Sequence, residues 1–154
     1  MFRRLSRPNA QDNKIENGPG FLFVYGTLMR ELANNPFLDT PFKAAYFANG
    51  SVRGELFDVG EFPGFVPSEN GAEVRGEVFQ VKIAESLFET LDIVEGVNDQ
   101  YPERSLFERT TTNVKLENGE NLEAWIYQYN LSPANLKRIE NGDYREYLVP
   151  KSMF

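Results

Sequence analysis

Apolar residues recur along the chain as an unbroken run, at alternate positions and at helical spacing. The run is Phe21-Leu22-Phe23-Val24-Tyr25, which reads as a buried strand and leads into Gly26-Thr27-Leu28. A strand ending on glycine tolerates φ > 0 and leaves space for main-chain N–H groups to approach a ligand, although many strands end on glycine only to turn. Met29 to Thr40 mixes Asn34, Asn35, Pro36 and Asp39 with Leu32, Phe37 and Leu38, the composition of a loop carrying one helical turn. Strand-like runs flank Asn49-Gly50 between Lys43 and Asp58 and predict a hairpin there, with Gly54 marking a bulge or a close backbone approach. Val59 to Pro67 carries Gly60, Pro63, Gly64 and Pro67, which predicts an irregular ordered loop packed by Phe62 and Phe65.

Glu73 to Val81 alternates with period two and reads as a strand. The period then changes: Leu87, Phe88, Leu91 and Val94 lie on one face of a helix over Ala84 to Val94, stopped by Gly96 and delivering Glu95 at its end. After a polar turn at Tyr101 to Arg104, Ser105 to Leu116 and Leu122 to Tyr129 read as strands joined by a hairpin at Asn118-Gly119. Ser132-Pro133 predicts the cap and first position of a short helix ending at Asn141-Gly142, and Asp143 to Pro150 an extended tail. About six strands and two helices, without βαβ alternation or internal repeat, define a small α+β domain built on a mixed, mostly antiparallel curved sheet or barrel. The domain spans residues 19–154, and residues 1–18 read as a flexible arm.

Composition narrows the chemistry. A net charge of −7 argues against a nucleic-acid partner, whose phosphates require clustered Lys and Arg. Apolar runs of about five residues are far short of the ~20 that cross a bilayer, and Ser6 to Gly20 lacks the apolar stretch of a signal peptide, which points to the cytoplasm. The chain has no cysteine and no histidine. Thiol nucleophiles, histidine-based triads and imidazole or thiolate metal sites are therefore excluded. Acid–base work falls to carboxylates, Lys, Tyr or a group of the substrate.

Among carboxylates, Glu95 stands out. At a helix C-terminus it opposes the macrodipole, at a cost of about 0.3–1 kcal/mol, and the raised pKa that results suits a general base near neutral pH. The competing reading is a solvated helix end. Glu55, Glu61, Glu73 and Glu77 read as solvated faces. Tyr25, Tyr101 and Tyr127 read as half-buried aromatics whose hydroxyls seek partners, with ligand contact a secondary role. Gly18-Pro19-Gly20 precedes a strand and lacks the third glycine of a dinucleotide fingerprint.

Several segments together resemble the gamma-glutamylcyclotransferase-like family, in its AIG2-like and gamma-glutamylamine cyclotransferase branch. They are Val24-Tyr25-Gly26-Thr27-Leu28, Gly54-Glu55-Leu56-Phe57-Asp58 with Phe62-Pro63-Gly64, and Val74-Arg75-Gly76-Glu77-Val78-Phe79. Leu91-Asp92-Ile93-Val94-Glu95-Gly96, Tyr101-Pro102-Glu103-Arg104 and Trp125-Ile126-Tyr127 complete the set in order, over about residues 21–130. The resemblance implies Glu95 as catalytic base and main-chain N–H groups at Tyr25, Gly26, Thr27 and Leu28 as the grip on the substrate's glutamyl end, with Tyr101 and Tyr127 as further binding positions. It implies cyclisation of a γ-glutamyl amine or small γ-glutamyl peptide to 5-oxoproline, with no cofactor and no metal. Two alternatives stay open: a binding module for a small carboxylate, and a hydrolase of the same bond. After the turn the family often carries a basic residue followed by glycine, where this chain has Arg30-Glu31.

Overall fold

The computed structural model describes residues 18–38 and 42–153, so nearly all of the expected arm and residues 39–41 lie outside the described residues. The chain runs β1 (Phe21–Val24), α1 (Asn35–Leu38), β2 (Ala44–Asp58), β3 (Pro63–Pro67) and β4 (Ala72–Val81). It continues through α2 (Ala84–Val94), a 3-10 turn (Pro102–Arg104), β5 (Phe107–Leu116), β6 (Asn121–Tyr129), β7 (Lys137–Arg138) and α3 (Tyr144–Met153). The strands β2-β4-β1-β6-β5 pair in that order, and β5 pairs back onto β2 at Gly50↔Leu116 and Ser51↔Lys115, which closes a five-stranded barrel. Among the described strands only β1 and β6 pair in parallel, at Leu22↔Trp125. The expected α+β barrel is thus the fold.

Closure depends on β2. It is 15 residues long, pairs with β4 from Ala44 to Gly54 and with β3 from Gly54 to Asp58, and shifts register between Tyr46 and Ala48. A bulge of this kind increases local twist, which bends a long strand around a barrel. Phe23, Phe65, Val78, Phe79 and Ile126 are buried in the core, to which α2 adds Leu87, Phe88 and Leu91, each less than 2% exposed. Burying such side chains contributes about 1.5–3 kcal/mol apiece. The indole N–H of Trp125 donates to the Pro19 carbonyl at 3.1 Å and ties the chain's entry into β1 to β6.

Four sequence expectations are overturned, three of them by pairing partners distant in sequence. Asn49-Gly50 is not a hairpin: both residues lie inside β2 opposite Glu77 and Gly76. A Cβ on Gly50 would stand 2.7 Å from Val114 Cγ1, so glycine serves the close approach of β5. Val59 to Pro67 is not all loop, because Pro63–Pro67 forms β3 against the far end of β2. Proline is admissible there since β3 is an edge strand with prolines at its two ends.

The helix expected after Ser132-Pro133 is absent. Ser132 Oγ accepts the Ala134 N–H, one turn closes from Leu136 N–H to the Pro133 carbonyl, and Lys137–Arg138 then pairs with β2. The expected tail is α3. Asp143 Oδ1 accepts the Glu146 N–H at 3.1 Å, so Asp143-Tyr144-Arg145-Glu146 is a capping sequence whose spacing was legible as such. The hairpin at Asn118-Gly119 forms as expected, with Gly119 at φ 92°.

Candidate active site

α2 ends in a Schellman motif. The Gly96 N–H donates to the Ile93 carbonyl and the Val97 N–H to the Asp92 carbonyl, with Gly96 at φ 70°. This left-handed turn stops the helix and places Glu95 in a cavity of about 60 Å³, lined also by Phe23, Tyr25 and Gly26 to Leu28. Its other walls include Phe62, Pro63, Phe107 and Tyr127. Glu95 is partly exposed, but burial of its carboxyl among these walls pushes the pKa up to about 7. No hydrogen bond or ion pair to the Glu95 carboxylate occurs among the described residues. The solvated-helix-end reading does not describe this group.

Opposite Glu95 lies the turn. Gly26 and Leu28 are buried, yet the N–H groups of Gly26, Thr27 and Leu28 find no acceptor among the described residues. Buried backbone donors are paired in the great majority of cases, and unpaired ones are costly. Three in succession on a cavity wall form an anion-receiving cradle. The carbonyls of the same residues are all used: Gly26 accepts from Met29 N–H, Thr27 from Asn34 N–H and Leu28 from Asn35 Nδ2. Gly26 is needed for space, not for a left-handed backbone, because a Cβ there would lie 2.7 Å from Pro63 Cγ.

A buried hydrogen-bond chain joins the two halves. The Tyr25 hydroxyl donates to the Tyr127 carbonyl at 2.6 Å and accepts the Phe65 N–H at 3.1 Å. The Tyr127 hydroxyl donates to Asp92 Oδ1 at 2.5 Å, and Arg109 grips Asp92 with Nε and Nη2 at 3.0 and 3.2 Å. Asp92 lies one helical turn before Glu95. Burial pushes both phenols above the ordinary tyrosine range, and the nearby Glu95 carboxylate pushes in the same direction, so both stay protonated. Tyr25 and Tyr127 are 6% and 3% exposed, which corrects the half-buried expectation.

The structure therefore brings Glu95, Tyr25, Gly26, Thr27, Leu28 and Tyr127 around one cavity. It does not bring Tyr101, whose ring is exposed and stacks under the Arg104 guanidinium at 4.6 Å. Sequence reasoning missed Asp92 and Arg109 as supports of the helix end, though Asp92 sits inside a segment singled out for Glu95. It also misplaced Glu77, which is 5% exposed and paired with Arg30 and Arg145, whereas Glu61 and Glu73 are exposed as expected. A larger groove of about 740 Å³, lined by Arg30, Arg75, Glu77, Lys115, Glu117 and Arg145 among others, lies across the turn. Its buried carboxylate is already paired, so it offers no counterpart to Glu95 and the free amides. No group of potential metal ligands occurs among the described residues, and no described helix is long and apolar enough to cross a membrane.

A five-stranded barrel presenting a desolvated carboxylate to a row of free amides defines a small-molecule site of the kind an acyl-transfer or cyclising enzyme uses. The chain belongs to the family described as "Gamma-glutamyl cyclotransferase, AIG2-like", which it matches over residues 22–146. It is 30% identical over 129 residues to a Methanocaldococcus jannaschii protein bearing the name "Putative gamma-glutamylcyclotransferase", covering 82% of this chain and 97% of that one. The crystal structure of an AIG2-like protein from Mus musculus superposes with a TM-score of 0.64 at 25% identity, covering 79% of this chain and 86% of the mouse chain. YkqA from Bacillus subtilis superposes with a TM-score of 0.68 at 24% identity, covering 89% of this chain. This chain spans 44% of YkqA's length, and that likeness concerns the fold alone.

Proposed function

We propose that the protein is a gamma-glutamylcyclotransferase that converts a γ-glutamyl amine or small γ-glutamyl peptide to 5-oxoproline and releases the amine. The observation that carries this reading is the pairing, across one cavity, of an unpartnered carboxylate of pKa about 7 with three unpaired main-chain donors. The substrate's α-amine arrives as an ammonium, and Glu95 takes its proton. The freed amine attacks the substrate's own δ-carbonyl and forms a five-membered ring, while amides of the Gly26 to Leu28 turn receive the substrate's negative charge, carboxylate or developing oxyanion. Glu95 returns the proton to the leaving nitrogen as the C–N bond breaks, then takes the second proton from the ring nitrogen and passes it to the released amine, which leaves as an ammonium. The phenols of Tyr25 and Tyr127 stay neutral and hold the walls.

The reaction needs one carboxylate to serve as base and then as acid. A group with pKa about 7 is divided between both forms at neutral pH, which supports this assignment. Incubation with γ-glutamyl amines and chromatography of the products tests it. Formation of 5-oxoproline with stoichiometric amine, abolished in Glu95→Gln, is the expected result. Glutamate in place of 5-oxoproline would establish hydrolysis, and calorimetric binding without any product would establish a binding module.

A further inference from the structure

The excursion that carries the free amides begins and ends on one residue. β1 leaves the barrel at Val24, whose Cα partner in β4 is Glu77. Six residues later the chain returns, and the Arg30 N–H donates to Glu77 Oε1 at 2.9 Å. The other carboxylate oxygen receives Arg30 Nε at 3.2 Å and Arg145 Nη2 at 3.1 Å. Glu77 thus anchors the Tyr25–Arg30 loop through its backbone at one end and its side chain at the other. Gly26, Thr27 and Leu28 form the middle of that loop.

The anchor holds a conformation that is not relaxed. Glu31, immediately after the pinned N–H, is the one non-glycine residue with positive φ among those described, at 72°. A left-handed backbone at a residue with a Cβ is disfavoured and persists where the surroundings hold it. Glu31 also stands at the glycine position expected from the family resemblance. The Arg30 guanidinium, besides its bonds to Glu77, lies 3.5 Å from the centroid of the Tyr46 ring. Stability alone gives little reason for a carboxylate at this position, since sealing the carboxylate is costly while its partners Arg30 and Arg145 stay 44% and 38% exposed, and ion pairs to such partly solvated groups contribute little. A fixed acceptor for the Arg30 N–H is what an apolar residue would not provide.

We propose that Glu77 is a positioning residue for the proposed cyclisation: by pinning the Arg30 N–H it holds the Gly26–Leu28 amides in the geometry that receives the glutamyl group. This rests on the reading of the cavity as the cyclotransferase site. Glu77 touches no part of the cavity and acts through the loop. A purely electrostatic or structural role ranks substitutions differently from this one. Glu77→Asp keeps the charge but withdraws the acceptor from Arg30, whereas Glu77→Gln loses the charge, keeps one acceptor at full reach for the Arg30 N–H, and turns its NH2 toward the Arg30 and Arg145 guanidinium groups, which are 44% and 38% exposed and can turn to solvent.

The test is a comparison of the Glu77→Asp and Glu77→Gln proteins in two readouts. With a γ-glutamyl amine that the parent protein cyclises, Glu77→Asp is expected to lower kcat on the order of 10–100-fold, as misplacement by about an ångström does, and Glu77→Gln to stay within about threefold. Amide hydrogen exchange followed by NMR, which needs no substrate, is expected to accelerate at Met29, Arg30 and Asn34 in the aspartate variant while Val78 and Phe79 keep parental protection. The glutamine variant is expected to retain the parental pattern at all of them. The proposal is overturned if Glu77→Gln is as impairing as Glu77→Asp or more so, or if exchange in the aspartate variant rises throughout the barrel. A parent protein that makes no 5-oxoproline from any γ-glutamyl compound refutes the cyclotransferase reading instead, and hydrogen exchange then decides whether Glu77 positions the loop.

Discussion

Glu95 and Glu77 lie on opposite sides of the same loop and have opposite surroundings. Glu77 is nearly sealed from solvent and accepts three donors from two arginines. Glu95 keeps contact with solvent, accepts no hydrogen bond from the described residues, and has its pKa lifted to about 7 by burial. Depth therefore does not distinguish the proposed base from the proposed positioning residue. What distinguishes them is whether donors compensate the negative charge, because an uncompensated carboxylate keeps its proton near neutrality and stays available to exchange it. The intervening backbone follows the same division: the carbonyls of Gly26, Thr27 and Leu28 are bonded within the protein, and the N–H groups of the same three residues find no acceptor among the described residues.

The same conservative change at the two positions gives the largest contrast. Glu95→Gln preserves shape and removes the proton acceptor, so kcat/KM is expected to fall by about 10²–10⁴-fold, the usual contribution of a general base, with substrate binding retained. Glu77→Gln leaves the acceptor for Arg30 in place and the rate nearly intact. Steady-state kinetics on both proteins checks the pair. Equal losses would mean that charge at the two sites, and not its compensation, governs activity.

Next in size is the tie between the two halves. Tyr25→Phe leaves the Phe65 N–H and the Tyr127 carbonyl without the phenol that both use, in a site 6% exposed. Each unsatisfied buried group costs about 1–3 kcal/mol, so a loss of at least that order is expected in urea denaturation. Because the hydroxyl holds the wall and does not titrate, the pH at which activity turns on is expected to stay unchanged. A shifted profile would place Tyr25 in the proton transfer.

How much of this contrast was legible in the sequence differs between the two carboxylates. Glu95 followed a run of helical periodicity and preceded a glycine, local signals that also define α2 and its Schellman end. Glu77 lies in an alternating strand, where period two marks it as facing away from its neighbours but does not say that Arg30 and Arg145 fold over that face. The same limit explains the errors among the strands. Asn49-Gly50 carries a strong local turn signal that pairing with β4 and β5 overrides. Pro63–Pro67 becomes a strand only because the far end of β2 offers it an edge. Barrel closure, which turns these segments into neighbours, is a property of contacts far apart in the chain and leaves no local mark.

The lifted pKa of Glu95 has a smaller, global consequence. The folded state holds a proton on this carboxyl up to about pH 7, whereas the unfolded chain releases it near the ordinary value of 4.5. In the window between them the folded protein binds more protons, so this group's contribution to stability is full below about pH 4.5 and is lost as pH rises through about 7. Partial exposure reduces the effect to on the order of 1–2 kcal/mol. Denaturation of parent and Glu95→Gln proteins at about pH 5, 6 and 8 is expected to show the variant gaining on the parent as pH rises. A constant difference would mean that Glu95 is solvated in solution and would remove the basis for its role as base.

The smallest effect is expected at Tyr101, where sequence resemblance and geometry part. Its ring is 42% exposed and lies under Arg104, and its N–H is held by Asn98 Oδ1 at 2.9 Å, outside the cavity wall. Tyr101→Ala removes an exposed cation–π contact worth about 0.5–1 kcal/mol and leaves the Asn98 bond, which uses the backbone, intact. Turnover is therefore expected to change less than about twofold, since nothing that Tyr101 touches lies on the path between Glu95 and the free amides. Steady-state kinetics with a short and a long leaving amine separates two outcomes. A loss confined to the long amine would place the ring against the leaving group outside the cavity, and an equal loss with both would mean that the segment around Tyr101 closes over the site when substrate binds.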